Sequence, residues 1–313
     1  MKRIICLFFA FTSFFLIGLE VDIVSSFNID ELPARLLNIK REFKVNKTVP
    51  VDYLTRSAND PSLKKILVFD PTFGGGATIF PSLPKEKLVL FVWEPDILSL
   101  DIYDAYSRVY TWDDELIDNV KFFRFNYPYL MPYRNNVHSF QKRQLCTIVV
   151  NKWTEQRLEV VRFFEAHHPE GLTCYGRCPP GLRNVSMHKG HIPGQHSGDQ
   201  KISTLQKYRF CICFENTTGT FGYITEKIFS CFAAGCIPIY WGPNNIENYI
   251  PKSCFIDYRD FETNERLYQY IYTMSEETHK EYVVEIKKYL SSEQAQQFSP
   301  KFFDDLVYEA IIQ

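Results

Sequence analysis

Short, continuous apolar runs constrain this chain most. Lys64–Asp70 (KKILVFD) and Lys87–Trp93 (KLVLFVW) are of strand length and bounded by charged residues and turn formers. Runs of this kind suit strands buried on both faces, which occur where helices cover both sides of a parallel sheet. Arg108–Trp112 and Val120–Phe125 extend the pattern. It restarts in the second half with Leu145–Val150 (LCTIVV), Leu172–Tyr175, Tyr208–Phe214 (YRFCICF), Ile237–Trp241 (IPIYW) and Cys254–Asp257. Helical patterns lie between and after them: Glu155–His167, Thr225–Ala234 stopped by Gly235, Glu265–Leu290, and Lys301 to the end. Strands alternating with helices in both halves predict an α/β fold of two doubly wound domains with a cleft between them. The length of 313 residues suits two domains. The join is placed in the polar stretch His138–Gln144, giving domains 28–142 and 143–313.

Residues 1–27 are set apart. Met1-Lys2-Arg3 precede Ile4–Leu19, sixteen residues without a charge, and Glu20 and Asp22 end the run. As a helix this run rises about 24 Å, short of a hydrocarbon core of roughly 30 Å. A cleaved signal peptide and an uncleaved signal-anchor both fit the layout. The anchor is preferred. With Lys2 and Arg3 ahead of the segment, it predicts a single-pass type II membrane protein. Such a protein faces the Golgi lumen in a eukaryote and is membrane-associated or exported in a bacterium.

Charge narrows the partners. With 35 Lys+Arg against 37 Asp+Glu there is no cationic excess to neutralise phosphates, which argues against nucleic-acid binding. Aromatic residues reach 16% and are assigned first to the core. Nine cysteines cannot all pair within the chain. Cys211, Cys213, Cys231, Cys236 and Cys254 lie in apolar surroundings as small hydrophobes, while a Cys174–Cys178 disulfide stays open.

Several segments could hold phosphate or metal. Phe73-Gly74-Gly75-Gly76 is either a tight turn or a ligand-facing loop, since it lacks the rest of a dinucleotide or Walker motif. Asp113-Asp114-Glu115 offers oxygen ligands to magnesium or manganese, but Asp113 stands where a helix N-cap is expected, and capping is preferred. His188, His191 and His196 are taken as loop histidines, having no acidic or Cys partner to complete a metal site.

The informative region is YRFCICFENTTGTFGYITEKIFSCFAAGCIPIYWG, Tyr208–Gly242. A buried strand ends at Phe214, a Gly-containing loop follows, and Thr225-Glu226-Lys227 opens a helix. Ligands of open α/β sheets bind at the carboxyl ends of strands, and anions favour helix N-termini. Lys227 there can meet a pyrophosphate and Glu226 a ribose. Alternatively the two are a helix-opening acid and a solvated cation.

This segment closely resembles the donor-binding motif of the α1,3-fucosyltransferase family, FEN…Y-x-TEK…AG-x-x-P-x-x-x-G. Phe214-Glu215-Asn216, Tyr223, Thr225-Glu226-Lys227, Ala234-Gly235, Pro238 and Gly242 all stand in order. LCTIVVNKWTEQR is similar to the family's earlier donor element, with Arg157 the best match to its arginine and Arg162 the alternative. Tyr175-Gly176-Arg177 matches a further turn.

The resemblance implies a GT-B architecture with an N-terminal acceptor domain and a C-terminal domain holding GDP-fucose. It implies inverting transfer to a hydroxyl of an oligosaccharide or glycoconjugate. On it, Arg157 and Lys227 would neutralise the diphosphate and Glu226 would hold the ribose. Asn216 and Tyr223 would line the nucleotide pocket. Glu94, after KLVLFVW, would be the catalytic base, with Asp96 its competitor. No metal is required, manganese or magnesium at most aiding GDP release. Transfer of another GDP-sugar, or a non-catalytic glycan-binding relative, is the alternative. The sequon Asn216-Thr217-Thr218 coincides with the nucleotide pocket and is expected to stay unmodified.

Overall fold

The computed structural model describes residues 18–25, 32, 36–47, 60–69, 83–95, 100–193 and 198–313. The chain divides between Pro128 and Tyr129, and Ser299–Gln313 returns to the first unit.

The first unit contains β1 (Glu20–Ser25), α1 (Leu37–Glu42), β2 (Lys44–Lys47), β3 (Leu63–Phe69), β4 (Leu88–Phe91), α2 (Leu100–Asp104), β5 (Arg108–Thr111) and β6 (Phe122–Arg124). Its sheet runs β2-β1-β3-β4-β5-β6, and every pair is parallel. One face is aliphatic: Ile66, Val68, Leu88, Leu90 and Val109 pack with Tyr103 and Tyr106. The other face is aromatic. Phe69, Phe91 and Tyr110 occupy facing register positions on β3, β4 and β5, with successive ring centroids 4.8 Å apart and nearly parallel. Phe303 of the last helix, Pro300–Ile312, covers this face at 5.9 Å from Phe91. Much of the aromatic content is therefore core, as the composition predicted. Asp304 on the same helix accepts from Leu37 N at 3.1 Å and Asn38 N at 3.2 Å, capping α1. These contacts place the last helix in the first unit, whereas the sequence assigned it to domain 143–313.

The leader boundary at residue 27 also needs correction. Residues 1–17, with most of the apolar run, lie outside the described residues. Glu20–Ser25, however, form β1, which pairs with β2 on one side and β3 on the other. Glu20 and Asp22 are residues of this strand. Asn46 Nδ2 reaches one carboxylate oxygen of each at 2.8 Å. Among the described residues no helix is long and apolar enough to cross a membrane.

The second unit contains β7 (Gln144–Val150), α3 (Glu155–His167), β8 (Leu172–Gly176), α4 (Asp199–Leu205), β9 (Tyr208–Phe214), α5 (Glu226–Ala234), β10 (Ile237–Trp241), β11 (Ile256–Asp257), α6 (Asn264–Thr273) and α7 (Glu276–Leu290). All strand pairs are parallel, in the order β11-β10-β9-β7-β8. Ile202, Leu205, Ile228, Phe229, Phe232 and Ile286 of α4, α5 and α7 share one buried cluster. Val160, Val161, Phe164, Leu267 and Ile271 of α3 and α6 share another. Helix layers on both sides explain why β9 is apolar from Phe210 to Phe214. The expected single helix Glu265–Leu290 is two, because Ser275 caps a new start by accepting from Thr278 N at 3.1 Å.

Candidate functional site

Winding in the second unit reverses between β7 and β9, so the chain leaves these neighbouring strands in opposite directions. The crevice at their carboxyl ends is the position where open α/β sheets take ligands. A recess of about 180 Å³ opens there, lined by Thr154 and Gln156 after β7 and by Phe214–Thr218 after β9. Thr154 and Thr225 occupy the N-cap positions of α3 and α5, yet neither side chain caps its own helix. Their first-turn N–H groups lack that partner, a situation suited to an anion.

Glu215 is the hub of the site. Its carboxylate is fully buried, and it follows β9 directly. Oε1 accepts from Thr225 N at 2.9 Å and Tyr240 OH at 3.1 Å. Oε2 accepts from Thr225 Oγ1 at 2.8 Å and Lys227 Nζ at 3.0 Å. Gly242 makes this possible: a Cβ there would collide with the Tyr240 hydroxyl. Burial pushes the Tyr240 phenol well up, with the Glu215 charge adding to it.

Arg157 is 2% exposed and bridges the two strand ends. Nη1 donates to Lys152 O at 2.5 Å, and Nη2 to Phe214 O at 2.5 Å and Asn216 Oδ1 at 3.2 Å. Burial lowers its pKa and Glu215 opposes that shift. Lys227 also feels burial first, but Glu215 and then Glu226 outweigh it, and the net shift is upward. Lys201 of α4 pairs with Glu226 at 3.5 Å. Tyr223 is buried on the loop entering α5. Arg157, Asn216, Glu226 and Lys227 thus gather around the β7–β9 crevice.

Other sequence candidates fall elsewhere. Arg162 is exposed on α3 and paired with Glu155 at 2.5 Å. Glu94 is an exposed residue of the first unit beyond the carboxyl end of β4, its carbonyl accepting from Trp112 Nε1 at 3.2 Å. Asp96, Phe73–Gly76 and His196 lie outside the described residues. Asp113 caps the turn Asp114–Leu116 by accepting from Glu115 N at 3.1 Å, and Asp114 pairs with Arg124. His188 is more than a loop histidine: its Nε2 sits 2.9 Å from Gly176 O, and its backbone bridges to Cys174. Cys174 is a buried free thiol and Cys178 an exposed one, so no disulfide joins them. In the Tyr175-Gly176-Arg177 turn, Gly176 has φ 94° and no space for a Cβ against Val150 O.

Sequence reasoning quoted Glu215 without giving it a role and overlooked Lys201. A carboxylate placed directly after the apolar run Phe210–Phe214 was the available signal for Glu215. Lys201 had none, since its helix DQKISTL is largely polar.

The family model for glycosyltransferase family 10 (fucosyltransferase), C-terminal part, matches residues 139–302, just over half of the chain. The Alpha-(1,3)-fucosyltransferase FucT of Helicobacter pylori is 43% identical over 72 residues, which is 23% of this chain and 15% of that protein. The 4-galactosyl-N-acetylglucosaminide 3-alpha-L-fucosyltransferase 9 of Mus musculus is 30% identical over 134 residues, 42% of this chain and 33% of that protein. The chain thus matches no more than a third of the length of either relative. Among solved structures, an α1,3-fucosyltransferase with GDP-fucose aligns over 95% of this chain and 90% of its own, with TM-score 0.61 and 15% identity. A DNA-modifying β-glucosyltransferase aligns over 94% and 100%, with TM-score 0.58 and 12% identity. At these identities the likeness is one of fold, the two parallel α/β sheets of GT-B glycosyltransferases.

Proposed function

This chain belongs to glycosyltransferase family 10, and on that premise we propose that it transfers fucose from GDP-fucose to a glycan hydroxyl with inversion, as an α1,3-fucosyltransferase. The observation that carries the proposal is the recess at the β7–β9 reversal, where Asn216 and Glu215 of its lining are bonded to the Arg157 and Lys227 cations. The family relatives support fucose as the sugar, and the GDP-fucose complex of a fold neighbour supports the donor.

In this scheme the diphosphate lies against the first turns of α3 and α5. Arg157 and Lys227 offset its charge, Glu226 accepts from ribose hydroxyls, and Asn216 and Tyr223 line the nucleotide. An acceptor oxygen attacks the anomeric carbon, the bond to the phosphate oxygen breaks, and its electron pair leaves with GDP. Glu94 takes the acceptor's proton. Cations stabilising the charge that develops on the leaving group supply the electrostatic half of catalysis. Manganese or magnesium enters only as an aid to GDP release. The N-terminal apolar run serves as a signal-anchor in the same scheme, and the first unit takes the acceptor.

The test is a donor panel. The purified full chain is incubated with GDP-fucose, other GDP-sugars and UDP-sugars, with and without oligosaccharide acceptors, and GDP release and product mass are measured. Acceptor-dependent consumption of GDP-fucose is expected. Turnover of a different GDP-sugar would move the donor assignment. Glycan binding with no transfer from any donor would make the protein a non-catalytic relative.

A further inference from the structure

We propose that Glu215 is a positioning residue for transfer, holding the Lys227 ammonium and the entrance of α5 in the geometry that a donor diphosphate meets. The inference rests on the reading of the recess as a GDP site.

A carboxylate taken out of water costs several kcal/mol unless it is paired and fully hydrogen-bonded. Glu215 meets that condition with two donors on each oxygen. Stability alone does not call for such a group, because well-packed apolar residues often replace buried ion pairs without loss. What the carboxylate adds is orientation. Lysine ammonium has three N–H donors on a flexible stem. Two of them are fixed here, on Glu215 Oε2 and on Thr225 Oγ1, each at 3.0 Å. These two contacts leave the third N–H for a ligand, and 20% of the Lys227 side chain is accessible. A ligand therefore meets a cation already aimed, and the ion pair need not break. The same carboxylate engages the Thr225 hydroxyl, which keeps it from capping α5.

Charge is the second contribution. The ionisable groups around this ammonium are Glu226 on its own helix, Arg157 from α3, Cys213 from β9 and Glu215 just after it, with Lys201 of α4 paired to Glu226 and Tyr240 of β10 bonded to Glu215. Burial favours the neutral amine, and Glu215 is the strongest opposing influence. With Gln at 215, Glu226 alone opposes burial and Arg157. Lys227 should then lose its proton at lower pH.

The test compares wild type with Glu215→Gln, which keeps size but removes charge. GDP affinity is measured by calorimetry from pH 7 to 8.5, with folding checked by circular dichroism. The ratio of variant to wild-type Kd should rise with pH, as expected when the contacting cation loses its proton at lower pH in the variant. A folded Glu215→Gln protein whose ratio is flat with pH would reduce Glu215 to a structural role. A second measurement needs neither the variant nor GDP: the Cε resonance of Lys227 in ¹³C-lysine-labelled wild type should titrate above those of the exposed lysines. Titration with or below them would overturn the proposal. Failure of wild type to bind GDP would instead sink the GDP reading, leaving this second measurement to judge Glu215 alone.

Discussion

Arg157 and Asn216 are joined across the switch point by a hydrogen bond of 3.2 Å from Nη2 to Oδ1, and the same nitrogen holds Phe214 O at 2.5 Å. One guanidinium thereby fixes the start of α3 to the end of β9. Arg157→Ala should destabilise the protein by at least about 3 kcal/mol, since hydrogen bonds to charged groups are worth roughly 1.5–3 kcal/mol each. Arg162 and Glu155 have side chains 56% and 62% exposed, so Arg162→Ala should cost less than about 1 kcal/mol. Urea unfolding measures both. Arg157→Lys, which keeps the charge and loses the fork, should also weaken GDP binding while Arg162→Ala does not. The opposite ranking would exchange the two roles.

These contacts show what a sequence can and cannot disclose. β3, β4, β9 and β10 were legible because burial on both faces concentrates apolar residues into one run. β1 was not, since EVDIVS mixes polar and apolar residues and abuts a longer apolar stretch. β2, KVNK, is a short edge strand with little apolar content to mark it. Within the site, Arg157, Asn216, Glu226 and Lys227 stood out through a motif. The role of Glu215 did not, because its four donors come from three residues ten to twenty-five positions away, at the start of α5 and on β10. Only the fold brings Thr225, Lys227 and Tyr240 to one carboxylate.

The strand β1 makes N-terminal truncation a sharp test of the first unit. Val21, Ile23 and Val24 are buried, and burying an aliphatic side chain contributes about 1.5–3 kcal/mol. A chain starting at Asn28 loses all three along with pairing on both sides. It should fail to show a cooperative transition for the first unit, while a chain starting at Gly18 keeps it. Limited proteolysis of the two forms, followed by mass spectrometry, checks this. Equal protection of residues 60–128 in both would show β1 to be dispensable.

His279 gives the second unit a pH-dependent stability. Burial, and then the Arg143 charge, push its pKa from 6.5 down to about 4. The ring stands edge-on to Phe140 and Phe210, with Nε2 3.3 Å from Arg209 O. The folded-state pKa is depressed, so the unfolded chain binds the proton first as pH falls. Stability is complete above pH 6.5 and declines towards pH 4, by about 3 kcal/mol from this group. In His279→Gln that decline should be absent, so its denaturation midpoint should fall less than that of wild type over the window. Parallel declines in the two proteins would assign the acid sensitivity to other groups.

Glu94 carries the proposed proton transfer, and the expectation for it separates chemistry from binding. It belongs to the first unit, beyond β4, whereas Arg157, Asn216, Tyr223, Glu226 and Lys227 belong to the second. Its solvent exposure and its place beyond a strand's carboxyl end suit a group that must meet an incoming hydroxyl. Glu94→Gln preserves size and hydrogen bonding but cannot accept a proton at neutral pH. A general base contributes typically 10²–10⁴-fold, so transfer should fall by at least about a hundredfold while GDP affinity stays close to wild type. Asp96→Asn should be the milder change. Retention of most of the transfer rate in Glu94→Gln would leave Glu94 a loop carboxylate and send the search for the base elsewhere in the first unit.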